Sequence, residues 1–352
     1  MEVRDIRPVR DPVVVIREHL ATWDTPFVEL DVFGTDDPRA IAAAVDEFAR
    51  AQLGAGVAGY LLQVASISST HCVELDDGRR LVIKVKPPAE TNPSLPLDRA
   101  SLEAITQAQS HLAASGFPCP MPVLGPTPLA RGLATVERYM ADGEHRDAHD
   151  PVVRRLLAEG LAEHMAILEP LVATSALSHF QMPPGRLFPH PHSRLFHPSD
   201  AVDDTGCVQD LARRARAIAE SIASPPCLGH CDWRTEHVRF DGDRIVATYD
   251  WDSLGVLPRT RIVGVDAHGH TADWQQDAIP HLPTYDGIVG FIEDFARAAT
   301  APFTADEHRA ARAWAAYWIA YSAWITIQPG QRTWAPDSWP LLLRDCGERL
   351  LA

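Results

Sequence analysis

An Asp241-Gly242 turn between two short runs of β character, residues 237–240 and 244–249, constrains the chain more than any other local feature, because it demands a hairpin. A hairpin brings its ends together. Asp232 and His237, before and at the start of the first run, are therefore expected beside Asp250 and Asp252, at the end of the second. Carboxylates and an imidazole are unfavourable to gather unless a cation or a reacting proton lies among them. The stretch from His230 to Asp252 is thus a candidate active site.

The rest of the chain bounds what that site can serve. With 352 residues and 46% hydrophobic content, the chain can bury one large core or two smaller ones. Lys and Arg total 32 against 47 Asp and Glu, a formal charge of -15. Such a surface repels nucleic acid and anionic membrane, keeps the protein soluble, and weakly favours a cationic small molecule. The six cysteines form no Cys-x-x-Cys pair and no signal peptide is evident, so a reduced, cytoplasmic protein is expected. Cys227, His230 and Cys231 offer zinc-ligand types, but no second pair stands at finger spacing. The most apolar stretch, 313–327, is too short to span a bilayer and reads as a buried helix.

Toward the N-terminus, residues 27–32 look β-like, and residues 38–53 form an amphipathic helical pattern opened by Pro38. Three β-like runs follow at 60–65, 71–75 and 80–86, the last two joined by the turn Asp76-Asp77-Gly78. The first two flank Ser66-Ile67-Ser68-Ser69-Thr70, a hydroxyl-rich loop short enough for its backbone N–H groups to close over a phosphate. Lys84 sits within an apolar strand, where an ammonium must find an anion. Glu103, in a helical stretch over 98–115, is one candidate partner, and such a pair could grip nucleotide phosphates. Alternatively the lysine snorkels and the glutamate faces water. A Pro-rich connection over 117–128 leads to a strand at 132–140, after which the composition turns helical. That places a lobe boundary near residue 140.

Downstream, residues 151–171 and 209–223 read as helices. Residues 183–198 carry His190, His192 and His197 among five prolines and read as an irregular insertion. His268, His270 and Asp273 form a polar cluster suited either to substrate contact or to structural hydrogen bonds. Trp314, Tyr317, Trp318, Tyr321 and Trp324 recur at helical spacing, either as core or as the face of an acceptor pocket.

In this order the parts resemble the aminoglycoside phosphotransferase and choline kinase family. The resemblance runs over residues 56–255 and, by position only, into the C-terminal helices. It implies an α+β, two-lobed protein-kinase-like fold: a small β-rich, nucleotide-binding N-lobe with an N-terminal extension over 1–140, and a larger, mainly helical catalytic and acceptor-binding C-lobe over 141–352. Residue by residue, it implies that Ser66, Ser68 and Ser69 belong to the nucleotide loop, Lys84 and Glu103 to the phosphate-gripping pair, and Glu137 and Tyr139 to the interlobe hinge. Asp232 would accept the proton of the substrate hydroxyl, His230 would brace the catalytic loop, and His237 and Asp250 would hold metal. The expected cofactors are ATP or GTP with Mg2+, or Mn2+, and the expected partner is a small hydroxyl-bearing acceptor such as an aminoglycoside or macrolide antibiotic.

Three departures from the family pattern stand out. Cys231 replaces the usual glycine, His237 replaces the usual asparagine, and the segment from Ser253 to Asp266 lacks Gly-Asp-Pro-x-x-Asp-Leu. Histidine at the asparagine position also resembles macrolide phosphotransferases, which are active and generally favour GTP. Two rival readings remain: a catalytically weak or inactive pseudokinase-like nucleotide-binding protein, and a zinc hydrolase built on His230, Asp232, His237 and Asp250, which would leave Lys84 and Glu103 unexplained.

Overall fold

The computed structural model describes residues 8–91, 97–141, 143–178, 180–191, 206–276, 279–327 and 335–352. The chain divides into two units, the first comprising Met1–Ala113 and Cys119–Asp142, the second Ala114–Pro118 and Gly143–Ala352. No helix among the described residues is long and apolar enough to cross a membrane.

The first unit is built on alternation. Strands β1 (Val57–Ala65), β2 (Ser69–Leu75), β3 (Arg80–Lys86), β4 (Pro122–Leu129) and β5 (Gly132–Arg138) form an antiparallel sheet in the order β1-β2-β3-β5-β4. Leu81, Ile83 and Val85 of β3 point into a core with Val73, Leu75, Ala134 and Val136. Helices α1 (Pro12–Leu20), α2 (Phe27–Phe33) and α3 (Pro38–Leu53) close that core with Ile16, Val28, Val32, Ile41, Val45 and Phe48. Period-2 geometry then puts Lys84 on the opposite face. Asp37 caps α3 by accepting from the Arg39 N–H, and Gly54 ends it in the left-handed conformation. The fourth helix, α4 (Arg99–Ala114), buries Leu102, Ile105, Ala108, Gln109 and Leu112.

Two expectations are corrected here. Residues 27–32 are helical, not extended: Val28 and Val32 lie one turn apart on a buried face, and Gly34 at φ 73° terminates the helix. Core packing of that stripe overrides the β preference of Phe and Val. The Pro-rich stretch expected as a connection contains β4. As the edge strand of the sheet it accommodates Pro122, Pro126 and Pro128, which would break a central ladder.

The second unit is mainly helical: α5 (Pro151–Leu168), α6 (Gly206–Glu220), α7 (Arg259–Gly269), α8 (Tyr285–Ala298), α9 (Ala305–Thr326) and α10 (Trp339–Leu351). Helix α9 packs against α6, α7 and α10. A capping box between Thr304 and Glu307 fixes its start. Its Trp314, Tyr317, Tyr321 and Trp324 are buried and Trp318 half-buried; Phe188 stacks on Trp324 at 4.9 Å, so this aromatic face is largely core. Gly264 lets α7 approach α9: a Cβ there would lie 2.4 Å from Trp314 Cβ and 2.7 Å from the Ala311 carbonyl oxygen. Of the histidine-bearing insertion, His190 takes a hydrogen bond from Arg186, while His192 and His197 lie outside the described residues.

Two small antiparallel pairs complete this unit. β6 (Pro226–His230) pairs with β9 (Leu254–Pro258), and β7 (Val238–Asp241) pairs with β8 (Arg244–Thr248) across the expected turn, where Gly242 has φ 56°. The second hairpin is nested inside the first. His237 belongs to a short 3-10 turn, Thr235–His237, directly before β7.

Candidate active site

The nested hairpins determine which side chains meet. His230 ends β6 opposite Leu254, which begins β9, so residues 231–237 and 249–253 leave the same end of both ladders. One ligand atom each from Asp232, His237 and Asp250 falls within 4.8 Å of the others, the one such metal-capable group among the described residues. His237 Nε2 lies 3.2 Å from Asp232 Oδ2 and 3.8 Å from Asp250 Oδ2. Two carboxylates and an imidazole are a donor set that a divalent cation fits, with His237 and Asp250 as the residues that would hold it.

Asp232 is kept ionised. Burial works against its charge, but Arg234, 3.2 Å from Oδ1, and then His237 outweigh it and hold the carboxyl well below the usual range. The side chain is 37% exposed, so water screens these contacts in part. Arg234 also reaches Glu236 at 2.9 Å. Asp250 sits at φ 63°, a left-handed position that a non-glycine residue occupies at a cost of about 1–3 kcal/mol and that Asp tolerates better than most.

His230 braces this loop and is poorly suited to proton transfer. Its ring is fully buried; Nδ1 accepts the Asp232 N–H at 3.1 Å and Nε2 donates to the Tyr249 carbonyl at 3.2 Å. Desolvation lowers its pKa to about 4, so the ring stays neutral and links the two carboxylate-bearing segments. Its own N–H is accepted by Nε2 of His164 on α5 at 3.2 Å, and His164 Nδ1 donates to the Gly160 carbonyl. Trp251, itself buried, packs edge-on beside His230 and His164 at 5.4 and 5.5 Å. Both ring nitrogens and the backbone N–H of His230 are thus engaged, and the metal-capable group among the described residues does not include it.

The departures have structural answers. The Cys231 thiol fits because Gly255 lacks a side chain; a Cβ there would come 3.1 Å from Sγ. Support for the loop comes from Asp266 on α7, whose Oδ1 accepts the Trp233 N–H at 3.0 Å. His270 is fully buried, its Nδ1 bonded to the Ala267 carbonyl, and its own carbonyl accepts the Thr235 N–H at 3.0 Å. Asp273 binds His145 at 2.8 Å. The backbone carbonyls of His270 and Ala272 thus hold the Thr235 and Glu236 N–H groups of the loop, while the side chains of His268, His270 and Asp273 make structural hydrogen bonds elsewhere.

In the first unit, Lys84 finds its anion on the neighbouring strand. Val82 pairs with Glu137 in register, so Lys84 is its diagonal neighbour, and Nζ lies 3.5 Å from Glu137 Oε1. Glu137 Oε2 accepts from Gln109 Nε2 at 2.6 Å. The expected partner Glu103 faces solvent, 59% exposed and 3.9 Å from Arg99. The reason is helical phase: at 100° per residue, Glu103 lies opposite the stripe of Leu102, Ile105, Gln109 and Leu112, and Gln109 lies within it. Glu137 is thus occupied inside the unit, while Tyr139 is half-buried and its N–H donates to the Arg80 carbonyl. The hydroxyl-rich loop is divided: Ser66 is exposed, Ser68 Oγ lies 3.4 Å from Thr70 Oγ1, and Ser69 is fully buried with its hydroxyl turned to Glu29.

Arg234, His164 and Asp266 were not singled out in the sequence. His164 lies on the apolar stripe of α5 with Leu161, Met165 and Leu168, and Asp266 within the apolar run of α7. A lone polar side chain on such a stripe must find a buried partner, which is the signal that marks both.

No curated protein matches the sequence. Among solved structures, a spectinomycin phosphotransferase in complex with ADP and spectinomycin superposes with a TM-score of 0.53 at 12% identity, covering 88% of this chain and 98% of the other. An amicoumacin kinase in complex with AMP-PNP, Ca2+ and its ligand superposes with a TM-score of 0.54 at 11% identity, covering 89% and 95%. These likenesses establish the kinase-like fold. The family model described as "Phosphotransferase enzyme family" matches residues 63–261, more than half of the chain and the whole of the loop and hairpin described above. The chain belongs to the phosphotransferase enzyme family.

Proposed function

We propose that this phosphotransferase moves the γ-phosphate of ATP or GTP to a hydroxyl of a small acceptor, with a cationic antibiotic of the aminoglycoside or macrolide kind as the leading class. The observation that carries the reading is the Asp232–His237–Asp250 group at the common end of two nested hairpins. Asp232 orients the acceptor hydroxyl and takes its proton as the oxygen–phosphorus bond forms and the bond to the nucleoside diphosphate breaks. Bound Mg2+ or Mn2+ would neutralise charge on the phosphates. His237 and Asp250 hold that position, and Lys84, oriented by Glu137, binds the phosphates. The acidic surface, formally -15, favours a cationic acceptor. It likewise disfavours nucleic acid.

Asp232→Asn tests the assignment. Nucleotide affinity is expected to stay within about threefold, while turnover falls by two or more orders of magnitude, on the order of the loss of a general base. Equal loss of binding and turnover refutes the role of Asp232. Screening macrolides, aminoglycosides and amino alcohols for acceptor-stimulated nucleotide consumption, with ATP and GTP in parallel, identifies the acceptor. Nucleotide binding without turnover under every acceptor would favour the inactive, pseudokinase-like reading instead.

A further inference from the structure

The buried polar cluster behind the Ser66–Ser69 loop is used by nothing described so far. Glu29, on α2, is 1% exposed, and its Oε1 is the focus of three side chains. Ser69 Oγ donates to it at 3.2 Å, Gln63 Nε2 at 3.3 Å, and His19 Nε2 lies 3.2 Å away. Behind Ser69 stands His71, fully buried, with Nε2 at 3.0 Å from Ser69 Oγ and Nδ1 at 3.3 Å from the Tyr60 hydroxyl. One assignment of protons satisfies all of these contacts. Tyr60 donates to His71 Nδ1, His71 Nε2 donates to Ser69, and Ser69 donates to Glu29. It requires a neutral His71 and an ionised Glu29. Desolvation lowers His71 to about 4, and for Glu29 the opposing effect of burial is outweighed by the hydrogen bond from His19.

A buried carboxylate with this many donors is expensive to desolvate and holds its neighbours in one arrangement only when all of them are in place. Its position gives that rigidity a consequence. Ser69 is the first residue of β2 and pairs with Ala65, the last of β1, so it closes the three-residue loop 66–68. Its neighbour Thr70 pairs with Lys84. Pulling Ser69 backward toward Glu29 therefore sets where Ser68 and Thr70 stand on the face that carries Lys84. All the clamping side chains lie on α1, α2, β1 and β2.

The geometry points to Glu29 as a positioning residue for the nucleotide loop: the N-terminal helices clamp Ser69 from behind and thereby hold Ser66–Thr70 in its phosphate-binding form. This rests on the nucleotide-loop reading given under Proposed function. Glu29 itself touches no nucleotide in this scheme.

The test measures KM for nucleotide, KM for acceptor and kcat separately, together with direct nucleotide binding and amide exchange of residues 66–70. Glu29→Leu is expected to raise the nucleotide KM about tenfold, with kcat at saturation and the acceptor KM within about twofold, since a misplaced loop weakens binding of the group it holds. Glu29→Gln keeps an acceptor oxygen for Ser69 and is expected to restore most of the affinity and loop protection. Ser69→Ala should reproduce Glu29→Leu, and the double variant should be no worse than either, because both break the same contact. Should Glu29→Leu fail to fold, Glu29→Gln and Ser69→Ala decide: faster exchange at 66–70 with raised nucleotide KM in Ser69→Ala supports the clamp. Unchanged nucleotide KM and unchanged exchange in folded Ser69→Ala overturn it, as does an additive double variant. If the unaltered protein binds no nucleotide, the kinase reading fails and the clamp with it; if it binds and the variants bind equally well, only the clamp fails.

Discussion

Replacing Asp266 by asparagine should stabilise the protein at neutral pH, by a margin that grows with pH. Asp266 is 2% exposed; Oδ1 accepts the Trp233 N–H, and no hydrogen bond from the described residues reaches Oδ2. Burial raises its carboxyl well above the ordinary range; the Trp233 N–H opposes the rise, and the charge on Asp232 adds to it. An acid whose folded pKa is raised keeps its full contribution to stability below the unfolded value, near pH 4. It loses about 1.4 kcal/mol per pH unit above that until the folded pKa is passed. Asparagine does not titrate, keeps the acceptor oxygen for Trp233, and so escapes that loss. Asp266→Ala instead leaves a buried N–H unpaired, at a cost of about 1–3 kcal/mol. Guanidinium unfolding of the three proteins at half-unit steps from about pH 5 to 8 should show wild type falling behind the asparagine variant with the stated slope. A constant gap across that range, or an asparagine variant as unstable as the alanine one at pH 5, refutes the claim that Asp266 is a neutral, buried acceptor.

Three further outcomes follow from the same geometry. His237→Asn exchanges an imidazole for an oxygen donor, so the metal concentration for half-maximal activity should fall for Mg2+ relative to Mn2+; an unchanged ratio in a metal titration argues against His237 as a ligand. Lys84→Met and Glu137→Gln should each raise the nucleotide KM about tenfold or more, whereas Glu103→Ala should change it less than about twofold; the reverse order in steady-state kinetics would restore Glu103 as the lysine's partner. Gly264→Ala forces a Cβ to 2.4 Å from Trp314 Cβ and should destabilise by about 1–3 kcal/mol in thermal unfolding, with neutrality excluding the close α7–α9 crossing.

What could be read before the fold was known depended on how local the cause was. The β7–β8 hairpin, the Asp76-Asp77-Gly78 turn and α3 follow from turn residues, caps and periodicity within a few positions, and all three stand where expected. The meeting of Asp232, His237 and Asp250 follows from that same hairpin closure. Residues 27–32 misled because Phe and Val favour strands by composition, while the Val28/Val32 spacing that packing rewards is helical. The sequence offers Glu103 as a partner for Lys84, but its helical phase turns it to solvent, and Glu137 becomes adjacent only through strand register, which no local pattern announces. His164 and Asp266 act through single buried hydrogen bonds to loop backbone, and those depend on where α5 and α7 are placed.

The prolines of β4 have a consequence for association. An edge strand offers its unpaired N–H and C=O groups to any other strand that drifts alongside. Pro122, Pro126 and Pro128 have no N–H to offer, so an incoming strand would meet gaps where its carbonyl groups need donors. The same residues that disguise β4 as a linker thus make this margin of the sheet a poor template for strand addition and for amyloid-like growth.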